Sequence, residues 1–209
     1  SPILDDFSNP ASGWPVAETA YWSYGYLNGE YRMYAKQAQT FGAVSRSEYR
    51  QDGSLIMEVD VRQSSSVNGS LGIIYGLNDD WSQFYTFEIY PATQEYAVFR
   101  FSAGAWSLVT YGSSNAIRPG QSTNRLRLVM RSLTVLNLYV NGALLVSPEP
   151  YNPFAGYRVG LTATSDAAGF DARFDNYKLV PEGCPENPMT ANRALSGSFE
   201  ALRQSEWGK

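Results

Sequence analysis

The run Met57-Glu58-Val59-Asp60-Val61-Arg62 sets two carboxylates two positions apart inside an alternating stretch. In an extended strand such residues share a face, so Glu58 and Asp60 point the same way, with Arg62 next in line. Carboxylates that flank one reacting atom can divide general acid and general base between them. A second chemistry is carried by Trp81, Tyr90 and Tyr139, set among Glu88, Arg125, Arg127 and Asn137. Aromatic planes stack on the apolar faces of pyranose rings, and planar polar side chains hydrogen-bond sugar hydroxyls. The chain holds 15 Tyr, 10 Phe and 5 Trp in 209 residues, more aromatic surface than its core should need. It holds no histidine, which removes imidazole general bases, Ser-His-Asp and Cys-His pairs, and His-ligated zinc or haem. A single cysteine, Cys184, removes disulfides within the chain.

The formal net charge is −4, which argues against a protein that tracks nucleic-acid phosphates. Charge is unevenly placed, however. Between Tyr96 and Pro148 there is no acidic residue, while Arg100, Arg118, Arg125, Arg127 and Arg131 all fall there. Such a strip would suit anionic glycans, or would be neutralised across strands by Glu58, Asp60 and Glu88. Lysine occurs at positions 36, 178 and 209 alone, so the surface is built mainly of Ser, Thr, Asn, Gln and Tyr. That composition suits an extracytoplasmic protein, whether secreted, periplasmic or at the cell surface. No apolar run is long enough to cross a membrane as a helix. The opening Ser1-Pro2-Ile3 suits a fragment of a larger chain whose leader was removed.

The elements that must position these residues are strands. From Tyr21 to Val180 the hydrophobic period is two, broken by Asn28-Gly29, Asp52-Gly53, Asn68-Gly69 and Asn141-Gly142 turn signals. Strands are expected over Glu30–Lys36, Ser54–Gln63, Ser70–Leu77, Gln83–Tyr90, Glu95–Phe101, Trp106–Tyr111, Asn124–Arg131, Thr134–Val140, Tyr157–Thr164 and Asp171–Leu179. With no helix between them, they predict an all-β, two-sheet antiparallel sandwich. Leu55, Met57, Val59 and Val61 form one face of their strand, as do Leu126, Leu128 and Met130, and Leu136, Leu138 and Val140. The strand Gln83–Tyr90 is aromatic on both faces, so it is either buried on both sides or lines a groove. Three prolines between Pro181 and Pro188 end the strand pattern. Residues 1–180 therefore read as one domain and 181–209 as a Pro-rich linker and tail, with a short helix over Ser198–Trp207.

Three stretches carry a resemblance. Asp5-Asp6-Phe7-Ser8-Asn9-Pro10 with Ser12-Gly13-Trp14 resembles the opening strand of bacterial extracytoplasmic jelly-roll modules. Leu138-Tyr139-Val140-Asn141-Gly142 resembles a hairpin of laminin-G-like domains, and Gly160-Leu161-Thr162-Ala163 with Phe174-Asp175-Asn176-Tyr177 resembles their last two strands. In order and spacing, these are similar to the concanavalin A-like lectin/glucanase superfamily. The resemblance implies two facing sheets, one of them curved, with a concave face that often binds glycans. Retaining hydrolases of that fold carry Glu-x-Asp-x-(x)-Glu on one strand. Here Glu58 and Asp60 fill the first two places, but Arg62 or Gln63 stands in the third, leaving Glu88 as the nearest other acid. The expectation is a non-catalytic, lectin-like carbohydrate-binding module. The alternatives are a glycoside hydrolase using Glu58, Asp60 and Glu88, and a protein-binding adhesion module. The expected binding set is Glu58, Asp60, Glu88, Tyr90, Arg125, Arg127, Tyr139 and Trp81. The resemblance also implies a structural calcium held by Asp5 or Asp6 together with Asp175, near adjoining terminal strands. The other reading of Asp175 and Asn176 is a strand-end cap.

Overall fold

The computed structural model describes residues 2–50, 54–131, 135–147 and 158–181. The expected Asp52-Gly53 turn, Cys184 and the helix over Ser198–Trp207 lie outside the described residues. Among the described residues there is no helix, and fifteen strands form two antiparallel sheets.

Sheet A runs β13 (Ala143–Val146), β12 (Val135–Val140), β11 (Asn124–Arg131), β6 (Leu55–Gln63), β15 (Asp171–Pro181), β4 (Glu30–Ala35), β3 (Trp22–Leu27), β2 (Ala17–Glu18). The short β1 (Ile3–Asp5) also pairs with β15, setting Ile3 opposite Leu179 and Asp5 opposite Tyr177. First and last strands are thus neighbours. Sheet B runs β10 (Ala105–Ser113), β9 (Glu95–Ser102), β8 (Gln83–Tyr90), β7 (Gly69–Leu77), β14 (Arg158–Ser165), β5 (Phe41–Arg50). Three hairpins turn on two consecutive left-handed residues: Asn28-Gly29, Asn141-Gly142 and Ala103-Gly104. Paired positive φ is the backbone twist that matches two strands joined by a two-residue loop. Asn68-Gly69 does something else, carrying the chain from β6 in sheet A to β7 in sheet B.

Alternation puts Leu55, Met57, Val59, Val61, Leu126, Leu128, Leu138 and Phe174 of sheet A against Leu71, Ile73, Tyr75, Tyr85, Phe87, Ile89 and Leu161 of sheet B. At one end Asp5 has a structural role. Its carboxylate accepts hydrogen bonds from the Phe7 amide (2.9 Å) and from the Trp14 indole (3.0 Å), fixing both rings in the core. Phe7, Trp14, Tyr26, Tyr31 and Tyr177 pack there with centroids 5.1–6.3 Å apart.

Sheet B is far from flat. Its edge strands β5 and β10 are five spacings apart, roughly 24 Å for an unbent sheet. Yet the Phe41 ring of β5 meets the Trp106 ring of β10 with centroids 4.9 Å apart. Both side chains lie on the face turned away from sheet A, since the intervening Gly42 backs onto Trp22 and Met33 of the core. The sheet therefore curls toward its outer face, and that face closes on itself. Thr86, Glu88, Ser70, Thr162 and Ile74 are all buried there. Such curling needs strands that approach without a side chain between them. A Cβ on Gly72 would sit 1.9 Å from the Phe87 carbonyl oxygen, and one on Gly160 would sit 2.0 Å from that of Val44. Gly72→Ala is therefore expected to lower the urea midpoint, by about 1–3 kcal/mol of stability. An unchanged midpoint would mean the strands are not this close.

Candidate functional site

The outer face of sheet A carries the first group of expected site residues. Register sets Glu58 opposite Arg127 and Asp60 opposite Arg125. Arg125 grips both oxygens of Asp60, at 2.7 and 2.8 Å, and the Asn176 amide donates to the second of them at 2.9 Å. Arg127 holds Glu58 at 2.7 Å, with Lys178 on the other oxygen at 3.6 Å. Arg62, in the third place of the acid pattern, is paired through Nε and Nη2 to Glu30 at 2.7 and 2.6 Å. Arg173 and Arg32 close the row on Asp171. This is the cross-strand pairing that neutralises part of the basic strip. Both Asp60 oxygens are thus engaged by the fork of Arg125. Tyr139 stands beside this row, opposite Arg127 on β12.

Glu88 and Tyr90 are elsewhere. Both belong to β8 and face the curled outer side of sheet B, so the sandwich separates them from Glu58, Asp60, Arg125, Arg127 and Tyr139. The eight expected residues do not share one groove, and Glu58, Asp60 and Glu88 do not converge on a common point. Parity along each strand matches the alternation; sheet membership is a long-range property that parity does not contain. Glu88 is 2% exposed, accepting hydrogen bonds from the hydroxyls of Ser70 and, at 3.3 Å, Thr164. Burial pushes its carboxyl above the ordinary range, against the opposing pull of those hydroxyls. The same enclosure, with Glu88 nearby, pushes the Tyr90 phenol up to about 12. Glu88 is enclosed from solvent, whereas Tyr90 is half-buried.

Trp81 marks a different place. It lies in the β7–β8 loop, where Asn78 caps the hairpin by accepting from the Gln83 amide and Asp80 accepts from the Ser82 amide. From there its ring packs edge-on against Phe84, centroids 6.4 Å apart. Phe84 stacks on Phe101 at 5.0 Å and on Phe41 at 5.9 Å, and Trp106 closes on all three at 4.9–5.4 Å. This aromatic cluster caps one end of the curled face. Trp106 remains 45% exposed, and Leu108 and Tyr111 on the same edge strand are 52% and 71% exposed. Phe41, Phe84, Phe101 and Arg158 are absent from the expected set. The double-faced aromatic pattern of Gln83–Tyr90 is the available signal for Phe84; Arg158, heading the run Arg-Val-Gly-Leu-Thr-Ala, gives none.

The calcium expectation meets a poor fit. Among the described residues no group of three or more His, Cys, Asp or Glu side chains converges as a metal site. Asp6 accepts from the Ser8 amide and hydroxyl, at 3.1 and 2.6 Å, which holds its carboxyl below the usual range. Asp5 is taken by Phe7 and Trp14, and the depression lined by Asp5, Asp6, Asn9 and Ser12 also contains the cation Arg46. Asp175 and Asn176 do not cap a strand end; they form a bulge within β15, where the pairing partner passes from β4 to β1. Asn176 takes a positive φ there, and burial raises the Asp175 carboxyl above its ordinary value.

No family model and no curated relative matches the sequence. Solved structures do match. A Bacillus subtilis protein of unknown function with a galectin-like fold is similar over 85% of this chain and 94% of its own, with a TM-score of 0.65 and 11% identity. The Bacillus licheniformis β-glucanase is similar over 87% and 98%, with a TM-score of 0.60 and 10% identity. The carbohydrate-binding module CBM66 from Bacillus subtilis is similar over 79% and 94%, with a TM-score of 0.52 and 17% identity. The fold is the concanavalin A-like jelly roll. At these identities the likeness speaks to architecture, and the jelly roll hosts both catalysts and binders.

Within this jelly roll the buried Glu88 is expected to make stability depend on pH. A carboxyl whose folded pKa is raised binds its proton more tightly in the native state. Stability is then highest below the unfolded value of about 4.3 and falls as pH rises toward the folded pKa. Glu88→Gln keeps an acceptor for Ser70 and removes the charge. It is expected to raise Tm at pH 8 by a few degrees and to change it little at pH 4. Equal shifts at both pH values would show that Glu88 is not titrating in this range.

Proposed function

We propose that this chain is a non-catalytic, lectin-like carbohydrate-binding module that meets its glycan at the aromatic end of sheet B. One observation carries the reading. Trp81, Phe84, Phe101, Phe41 and the half-exposed Trp106 cluster on the face of sheet B turned away from the inter-sheet core. Rings placed there do not help join the two sheets, and flat aromatic surface at a rim is what stacks on sugar rings. Binding is also favoured over hydrolysis because Glu58 and Asp60, the two carboxyls that share a face, are each held by an arginine, and Glu88 lies on the other side of the sandwich. The weakly charged surface supports an extracytoplasmic setting, and no helix of the described residues is long and apolar enough to cross a membrane.

A second reading has its own support. Edge strand β10 leaves Trp106, Leu108 and Tyr111 exposed beside an unpaired backbone edge, the surface an adhesion module would offer another polypeptide.

A glycan-array screen, repeated with calcium and with chelator, followed by titration of the best ligand, separates these readings. Affinity is expected between millimolar and micromolar, about −4 to −8 kcal/mol. Trp106→Ala and Trp81→Ala should each weaken binding at least tenfold with little change in Tm, while Tyr139→Ala should leave it unaltered. No glycan binding, with concentration-dependent association lost in Trp106→Ala, would favour the adhesion reading. Turnover of a β-glucan that disappears in Glu58→Gln would overturn both.

A further inference from the structure

Arg158 opens β14 and is 9% exposed. Its Nε is enclosed without a hydrogen-bond partner, and among the described residues its guanidinium forms no ion pair. What it meets is the Trp81 ring, whose centroid lies 5.5 Å from Cζ. The contrast with sheet A is sharp, where Arg62, Arg125, Arg127 and Arg173 each hold a carboxylate. Enclosing part of a guanidinium without a counter-charge is costly, and a cation–π contact offsets only some of that cost. Among the described residues the site lacks a counter-charge.

Its position says what would complete it. Trp81 leads directly into the aromatic cluster through Phe84, so the cation sits at the border of the surface proposed to stack on sugar rings. Trp81 also adopts φ of +62°, a left-handed conformation that is strained for a non-glycine residue. With its Cζ over the Trp81 ring, 5.5 Å from the centroid, Arg158 sets a donor fork beside an aromatic surface, the two kinds of group that an acidic pyranose, whose carboxylate is bonded directly to its ring, would engage together.

We infer that Arg158 and Trp81 form the subsite for the carboxylate-bearing sugar of an acidic polysaccharide. The inference rests on the glycan-binding reading above and narrows it to uronate-containing chains. The chain's net charge of −4 makes indiscriminate attraction of a polyanion unfavourable, so acid preference would have to come from such a local site.

The test is isothermal titration of the full chain with three probes: an oligogalacturonate, the same oligomer as its methyl ester, and a sulfated glucan oligomer. The free acid is expected to bind at least tenfold more tightly than the ester, whose backbone is identical but uncharged. Arg158→Gln should abolish that preference, Arg158→Lys should retain some of it, and Trp81→Leu should weaken acid and ester alike. Arg125→Gln, which opens an ion pair on the far side of the sandwich, should leave the preference intact. Melting curves establish which variants fold; if Arg158→Gln does not, the Arg158→Lys comparison decides. Equal binding of acid and ester, or a preference that survives in Arg158→Gln, overturns the inference while leaving glycan binding in place. Tighter binding of the sulfated glucan overturns the carboxylate assignment. Failure to bind these probes or any glycan on the array overturns the underlying reading and this one with it.

Discussion

Everything distinctive about this molecule depends on a steric permission at two glycines. Six strands can curl until opposite edges touch only if neighbouring backbones pass closer than a Cβ allows. Gly72 and Gly160 supply that clearance on adjacent strands β7 and β14. The consequences spread outward from there. Phe41 reaches Trp106, Glu88 and Thr86 lose contact with water, and the outer face of sheet B becomes a second, smaller core. Aromatic surface is thereby displaced to one end of the sheet, where it remains in reach of solvent.

The two outer faces have divided their labour. Sheet A's is a ladder of matched charges, each pair set directly across from its partner by register. Exposed pairs of this kind contribute about 0.2–1 kcal/mol each, so their joint effect is to keep the face hydrated and self-satisfied. Sheet B's is nearly uncharged, with a buried acid inside and, at the rim, an arginine unmatched among the described residues. A face whose charges are already paired has little to offer a ligand; a face with an arginine unmatched among the described residues and the Trp106 ring half exposed has more.

The sequence is most legible where one strand face is apolar and the other is not. Gln83–Tyr90 and Asn124–Arg131 begin and end at the residues the alternation picks out. β5 escapes the pattern because its inward positions begin with Gly42, whose place in the core is filled from sheet A by Trp22 and Met33. β3 is obscured by Gly25 on its outward face, beside the exposed Val16, and β13 by its length of four residues. The candidate site is legible in its residue types and not in its location. Alternation assigns a residue to one of two faces of its own strand, but which sheet receives that strand depends on pairings formed across the whole chain. Glu58 and Glu88, with the same local signature, lie on opposite sides for that reason. Arg158 is invisible to pattern because an unmatched charge is defined by what is missing around it, which no linear sequence records.

The pairing of β1 with β15 has a mechanical consequence. Because the strands are antiparallel and Ile3 faces Leu179, tension applied between Ile3 and Leu179 loads this ladder from that end. The three residue pairs would then open in succession, as in a zipper, and not all at once, as in a sheared seam. After Asp5 and Tyr177 separate, the pull falls on the Asp5 carboxylate where it grips the Trp14 indole, and behind it on Phe7 wedged in the core. β1 can thus yield under modest load while the sandwich behind it stays shut.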